Sequence, residues 1–148
     1  MIKLNEMTEQ KVSERMLETF HDSLRRCQAH PRFMPLFYSR FIDENKEVAE
    51  KFVGSDMKAQ HLMLEASLQM VMLASSGKDA AQLFLKRVAQ THAKSERDIP
   101  PSLYACWLDS LLSTVEDIDP EHTADVAVAW RTVMRFGIEF LTARYEAD

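Results

Sequence analysis

The sequence predicts an all-α fold, because its apolar residues follow a helical period and turn residues are few. The 148 residues include only three glycines and five prolines, whereas sheets with short hairpins need frequent turns. Apolar residues recur every three or four positions over segments of tens of residues, which places them on one side of a helix. Hydrophobic residues make up 46% of the chain, enough for a core of its own. We predict a single domain over residues 1–148, built from about seven to eight helices.

Start and stop signals divide the first part of the chain into helical segments. The first helix is expected over residues 8–27, and Pro31 suits the opening turn of an aromatic-rich second helix. A short turn over residues 48–52 comes next. Gly54 then marks a break, and Asp56 is a candidate N-cap for the following helix.

The second half contains three further helices. The segment Met57–Ser75 is apolar over most of its circumference, so we expect it to be buried on more than one side. Gly77 ends it, and a helix that finishes near His92 follows. Pro100 and Pro101 predict the start of the next helix. Asp119 with Pro120 predicts the start of the final one, as an N-cap followed by proline at the first helical position.

Charge, cysteines and hydropathy exclude several classes of protein. The formal net charge is −5 and basic residues are scattered, so no basic stripe is available for nucleic acid. Cys27 and Cys106 are isolated, which fits a reducing compartment and neither a disulfide framework nor a metal motif. No segment has the length of a signal peptide or a membrane span. We therefore expect a cytoplasmic protein that binds neither nucleic acid nor membrane.

His92 is the leading candidate for a functional side chain. It closes an apolar helical face formed by Phe84, Leu85 and Val88, and polar residues follow it at 93–98. An imidazole between an apolar pocket and solvent suits an axial ligand of a flat, mostly apolar cofactor such as haem. A hydrogen-bonded core histidine satisfies the same pattern, so the spacing alone leaves both interpretations open.

Several motifs occur together along the helices. They are Tyr38 within Phe37-Tyr38-Ser39-Arg40-Phe41, Phe52, Gln60 with Leu64 one turn later, Val88-Ala89-Gln90-Thr91-His92, Tyr104 and Trp130. In combination and order they resemble the globin family over essentially the full length. The similarity is greatest to bacterial single-domain globins and to the globin module of globin-coupled sensors. The turn before Gln60 is shorter than in flavohaemoglobin-like globins, which affects the choice of distal residue but leaves His92 unaffected.

The resemblance implies a globin fold around haem b, with His92 as the proximal iron ligand. It places these further residues around the cofactor: Tyr38, Phe52, Gln60, Leu64, Val88, Ile99 and Tyr104. The second ring nitrogen of His92 is expected to donate to a backbone carbonyl or a hydroxyl. The Tyr38 hydroxyl and the Gln60 amide would donate hydrogen bonds to a diatomic gas and favour O2 over carbon monoxide. Basic side chains are either partners of the haem propionates or plain surface charges; these are Lys58, Lys94 and Arg97.

The choice of distal residue rests on the two faces of the segment after Asp56. Lys58, His61, Glu65 and Gln69 share a polar face, and Gln60, Leu64, Leu68 and Val71 share a largely apolar one. We therefore predict that Gln60 faces the pocket and that His61 faces solvent. A rotated helix would instead make His61 a distal iron ligand.

Three functions are compatible with this sequence. The first is reversible binding of O2 or another diatomic gas, for supply, storage or sensing. The second is haem enzymology, either nitric oxide dioxygenation or peroxide chemistry. Sustained nitric oxide dioxygenation would need an external reductase, and sensing would need a signalling partner. The third is a haem-free globin-fold interaction module. Apolar residues along the last helix predict either a homodimer through the final two helices or a thick core; they are Val126, Val128, Val133, Met134 and Ile138.

Overall fold

The computed structural model describes residues 12–146, and this part of the chain forms seven α-helices and no strand. The helices are α1 Glu14–Gln28, α2 Phe33–Glu44, α3 Lys46–Lys51, α4 Met57–Ser75, α5 Asp79–His92, α6 Ser102–Ile118 and α7 Ala124–Ala143. The predicted all-α class is confirmed, and the predicted bounds of α4 agree with the structure. Residues 8–11 of the predicted first helix lie outside the described residues.

Four helices begin at a polar side chain that accepts a hydrogen bond from the first turn. Ser13 caps α1, Asn45 caps α3, Asp56 caps α4 and Thr123 caps α7, with N···O distances of 3.1, 2.8, 3.2 and 3.3 Å. Each cap satisfies a backbone N–H that has no partner inside its helix. The cap at Asp56 is the one the sequence predicts.

Two glycines set the turns on either side of α4. Gly54 has φ 77° and Gly77 has φ 91°, in the left-handed region that glycine enters without a steric penalty. A third glycine has a different task, since a Cβ at Gly137 would lie 3.2 Å from a methyl group of Val71. Gly137 therefore lets α7 approach α4 closely.

The main core surrounds Trp130 of α7, which is fully buried. The Phe20 ring of α1 lies 4.7 Å from the Trp130 ring, and the Phe33 ring of α2 lies 6.2 Å from it. A second apolar cluster joins α4, α5 and α7 around Ala74, Ala81 and Leu85. The α4–α5 pair is thereby attached to the main bundle through α7.

The start of α7 differs from its prediction. The helix begins at Ala124 with Thr123 as its cap, not at Asp119 and Pro120, so His122 lies in the preceding turn. The Asp119 carboxylate is buried and accepts hydrogen bonds from Ser23 and Arg26 of α1. These tertiary contacts replace the capping contact that the local sequence indicates.

Two smaller differences concern the second and fourth helices. Pro31 lies in the turn before α2, which begins at Phe33. α4 contacts helices on more than one side, namely α1, α5 and α7, but it is less buried than expected, because only Leu68 and Ala74 are fully buried there. Leu62 and Met63 are 61% and 59% exposed.

Within residues 12–146, no helix combines the length and hydropathy of a membrane span.

Most of the apolar residues of α7 pack in the interior of the fold. Val126, Val133 and Met134 are buried in the main core, whereas Val128 is 36% exposed. The core therefore accounts for most of the pattern that also suggested a dimer. A homodimer through α6 and α7 stays a prediction.

Candidate functional site

His92 is the last residue of α5. The chain leaves the helix immediately afterwards, because Ala93 adopts an extended conformation with φ −64° and ψ 160°. Leu85 and Ala89 on the same helix are buried, and Val88 and His92 are half-buried. The imidazole thus lies at the boundary between the packed face of α5 and the loop that follows, as the sequence predicts.

One ring nitrogen of His92 is held by the preceding turn of α5. Its Nδ1 lies 2.8 Å from the Val88 carbonyl oxygen and 3.2 Å from the Thr91 hydroxyl. A carbonyl can only accept, so Nδ1 carries the hydrogen and donates it to Val88. The Thr91 hydroxyl donates to the same carbonyl at 2.9 Å. The expected hydrogen bond from the second ring nitrogen to a backbone carbonyl is confirmed.

The other ring nitrogen, Nε2, has the chemistry of a metal ligand. With the hydrogen on Nδ1, Nε2 of the neutral ring bears the lone pair, and no residue between 12 and 146 hydrogen-bonds to it. Burial lowers the pKa of His92 below its ordinary value, the Val88 bond opposes that shift, and the nearby Arg97 charge adds to it. The neutral form, which binds metals, is therefore favoured at neutral pH. This donor fits the axial position of haem.

Tyr38 of α2 lies in an aromatic cluster of its own. Its side chain is buried, and its hydroxyl donates to the backbone carbonyl of Gln60 at 3.2 Å. The rings of Phe37 and Phe52 meet the Tyr38 ring edge-on, with centroids 5.0 and 5.7 Å away. Burial raises the pKa of Tyr38, so the phenol keeps its proton at any physiological pH.

His61 also belongs to this cluster. Its ring is stacked on the Tyr38 ring, with centroids 5.1 Å apart and planes 17° apart, and the side chain is half-buried. The expectation that His61 faces solvent is therefore wrong. Farther along the same face of α4, the Gln69 amide donates to the Gln28 side chain, and Gln28 donates to the Glu65 carbonyl. Part of the polar face of α4 therefore contacts Gln28 of α1 and Tyr38 of α2, whereas Lys58 on the same face is exposed.

The remaining predicted pocket residues lie on α4, on α6 and in the loop between α5 and α6. Leu64 and Ile99 are half-buried against the main core, and Tyr104 is buried. Burial raises the pKa of Tyr104 to about 12, with a contribution from Tyr145. The Gln60 side chain is half-buried, and its amide has no hydrogen-bond partner within the described residues.

The structure brings Tyr38, Phe52, Gln60 and His61 together. No hydrogen bond or ring contact within residues 12–146 links them to His92. The three basic residues considered for the propionates are all exposed: Lys58, Lys94 and Arg97.

The loop after His92 is anchored by two residues that the sequence analysis missed. The Lys51 ammonium donates to the carbonyls of Arg97 and Asp98 at 3.3 and 2.8 Å. The Tyr145 hydroxyl donates to the Asp98 carboxylate, and the Tyr145 carbonyl accepts from the Lys94 backbone. Asp98 itself has φ 52°. No local pattern indicates these contacts, because each joins segments that are far apart in the chain.

Residues 12–146 form seven helices, with a histidine at the end of α5 and a buried tyrosine on α2, and this arrangement defines a globin-like protein. No protein-family model and no curated protein sequence matches the chain. A crystal structure of a Pseudomonas aeruginosa PAO1 protein, described as structurally highly homologous to a human hemoglobin, matches it with a TM-score of 0.85. The two chains share 30% identity over 89% of this chain and 99% of the Pseudomonas chain. The protein therefore belongs to the globin-like family that this relative represents.

Proposed function

We propose that this protein holds haem b through Nε2 of His92 and binds O2, or another diatomic gas, reversibly. The observation that carries the proposal is the bond from Nδ1 to the Val88 carbonyl at 2.8 Å. That bond selects the tautomer whose other nitrogen can bind a metal, and it fixes the orientation of the ring. Membership of a globin-like family supports the same cofactor.

Haem, when bound, would supply an iron centre that binds a diatomic gas. The side chains of this protein would present hydrogen-bond donors to the gas and would exclude water from the site. The Tyr38 hydroxyl has a single proton, which it now gives to the Gln60 carbonyl. Donation to a gas therefore requires that this proton change its acceptor. The Gln60 amide, which has no partner among the described residues, is a second donor with no bond to break.

The remaining pocket residues contribute an apolar lining. Phe52, Leu64, Val88, Ile99 and Tyr104 would surround the cofactor and keep water away from the gas. A drier site strengthens each hydrogen bond from the distal donors, because the local dielectric constant is low.

Replacement of His92 by alanine tests the proposal. We expect the full-length His92→Ala chain to lose most of its haem and the Soret band of the ferric, ferrous and oxygenated forms. His122→Ala is the matched control, since it removes an imidazole from the turn before α7. Circular dichroism establishes whether both variants remain helical. Unaltered haem content and spectra in folded His92→Ala would refute the role of His92.

Added imidazole separates ligation from structure. In a His92→Gly chain, free imidazole at millimolar concentration is expected to restore the spectrum, because it supplies the missing nitrogen without a bond to the backbone. Failure of imidazole to bind while haem is retained would indicate that another residue holds the iron.

A further inference from the structure

Tyr38 and His61 are joined by a stacked contact, and we propose that His61 is a positioning residue that sets the direction of the Tyr38 hydroxyl proton. The inference rests on the proposed function, because Tyr38 is the donor that would meet the gas. The two rings lie 5.1 Å apart at an angle of 17°. His61 would act through Tyr38 and would bind neither iron nor gas.

The stack restrains rotation of the Tyr38 ring in addition to the two contacts with Phe37 and Phe52. Phe37 and Phe52 meet the Tyr38 ring at 69° and 81°, so they lie against it edge-on. Rotation of Tyr38 about its Cβ–Cγ bond would turn the ring out of the parallel arrangement and drive one edge toward His61. The imidazole therefore holds the plane of the Tyr38 ring.

The plane of the ring determines where the hydroxyl proton can point. A phenol O–H lies close to the plane of its own ring, so the proton has two favoured directions on opposite sides of the C–O bond. One direction leads to the Gln60 carbonyl, 3.2 Å from the oxygen. The other has no acceptor within residues 12–146 and would be the direction used for a gas. By holding the ring plane, His61 fixes both directions at once.

The same turn of α4 supplies both restraints. The Gln60 backbone carbonyl accepts a hydrogen bond from the Tyr38 hydroxyl, and the neighbouring His61 stacks on the Tyr38 ring. The contact thus gives His61 a role in positioning Tyr38.

Two substitutions distinguish the aromatic contact from imidazole chemistry. His61→Phe keeps a stackable ring and removes both nitrogens, whereas His61→Ala removes the ring. We measure O2 dissociation from the haem-loaded, full-length variants by stopped flow. Loss of the stack is expected to speed dissociation about two- to tenfold in His61→Ala, with His61→Phe close to the wild type. In a Tyr38→Phe background, neither substitution should change the rate further.

A second measurement does not depend on gas binding. Tyrosine-labelled full-length protein gives NMR ring signals for Tyr38, which are assigned by their loss in Tyr38→Phe. The protein is studied as purified, in the diamagnetic ferrous carbon monoxide form where haem is present. We expect His61→Ala to shift these signals and His61→Phe to leave them shielded by a stacked ring.

Three outcomes would overturn the proposal. If His61→Ala leaves both the Tyr38 signals and the dissociation rate unchanged, the stack restrains nothing. His61→Phe matching His61→Ala would assign the effect to the ring nitrogens. A ferric spectrum that changes from six- to five-coordinate in His61→Phe would make His61 an iron ligand. A wild-type chain that takes up no haem would defeat the proposed function instead, and the NMR comparison would still test the stack.

Discussion

The buried carboxylate of Asp119 ties α1 to the turn before α7, and its replacement should weaken the whole fold. Asp119 accepts hydrogen bonds from the Ser23 hydroxyl at 2.6 Å and from two nitrogens of Arg26 at 2.6 and 2.9 Å. The Glu121 backbone adds a fourth bond at 2.9 Å. Ser23 in turn accepts from the indole nitrogen of Trp130 at 2.8 Å. The network therefore reaches the centre of the core.

The size of the effect follows from how much of each partner is buried. The Asp119 side chain is 0% exposed, and that of Arg26 is 25% exposed. Removal of one partner from a fully buried ion pair costs about 3–5 kcal/mol, because the other charge is left uncompensated. Water can reach Arg26 in part, so we expect Asp119→Ala to lower the free energy of unfolding by about 2–3 kcal/mol.

Urea denaturation at neutral pH measures this loss, and Asp117→Ala provides the control. Asp117 also pairs with an arginine, Arg40, but its side chain is 55% exposed. An exposed pair of this kind contributes at most about 1 kcal/mol. Equal losses in the two variants would contradict the argument from burial.

The pH dependence gives an independent check on the same carboxylate. Burial raises the pKa of Asp119, but the bonds from Arg26, Ser23 and the Glu121 backbone outweigh that effect, so the pKa is lowered overall. A lowered pKa contributes stability that is present above the unfolded value and is lost as the pH falls through the folded value. The gap between wild type and Asp119→Asn should therefore be constant from pH 7 to about 5 and shrink below about pH 4. A gap that persists undiminished in acid would refute the ionic role.

Two further substitutions test the pocket and a turn. Tyr38→Phe should speed the loss of O2 roughly ten- to a hundredfold, because a hydrogen bond to a partly charged acceptor disappears. Stopped flow measures the dissociation rate, and an unchanged rate would exclude Tyr38 as the distal donor. Gly54→Ala should cost about 1–2 kcal/mol in urea denaturation. Gly54 has φ 77°, and a Cβ added there would meet no atom within 4 Å. Any loss of stability in Gly54→Ala therefore reports backbone strain alone. A variant as stable as the wild type would contradict this argument.

Features that depend on neighbours in the chain could be predicted from the sequence. Asp56 caps α4 through the backbone of Ala59, three residues later, and Gly77 ends the helix through its own left-handed conformation. The bounds of α4 follow from these two signals. The Nδ1 bond of His92 also runs to a residue one turn back. Such contacts are set by helix geometry before any tertiary packing takes place.

Features that depend on distant partners could not be predicted in this way. Asp119 precedes a proline and has the local pattern of an N-cap, yet α1 supplies partners 93 and 96 residues away. Arg26 and Ser23 satisfy the carboxylate better than a helix terminus would, since a buried charge needs a counter-charge. The helix therefore starts four residues later than predicted, at Ala124 instead of Pro120.

His61 shows why periodicity identifies a face but not its surroundings. The spacing correctly groups His61 with Glu65 and Gln69, because residues three and four apart share a side of a helix. Whether that side meets water depends on what lies opposite. Here Tyr38 covers His61, and Gln28 bonds to the Gln69 side chain and to the Glu65 backbone carbonyl. Polar side chains can line a packed surface when polar partners face them. Conversely, Leu62 and Met63 are exposed although they are apolar. The choice between a distal glutamine and a distal histidine therefore depends on how α4 packs against α1 and α2. The sequence of α4 alone does not show that packing.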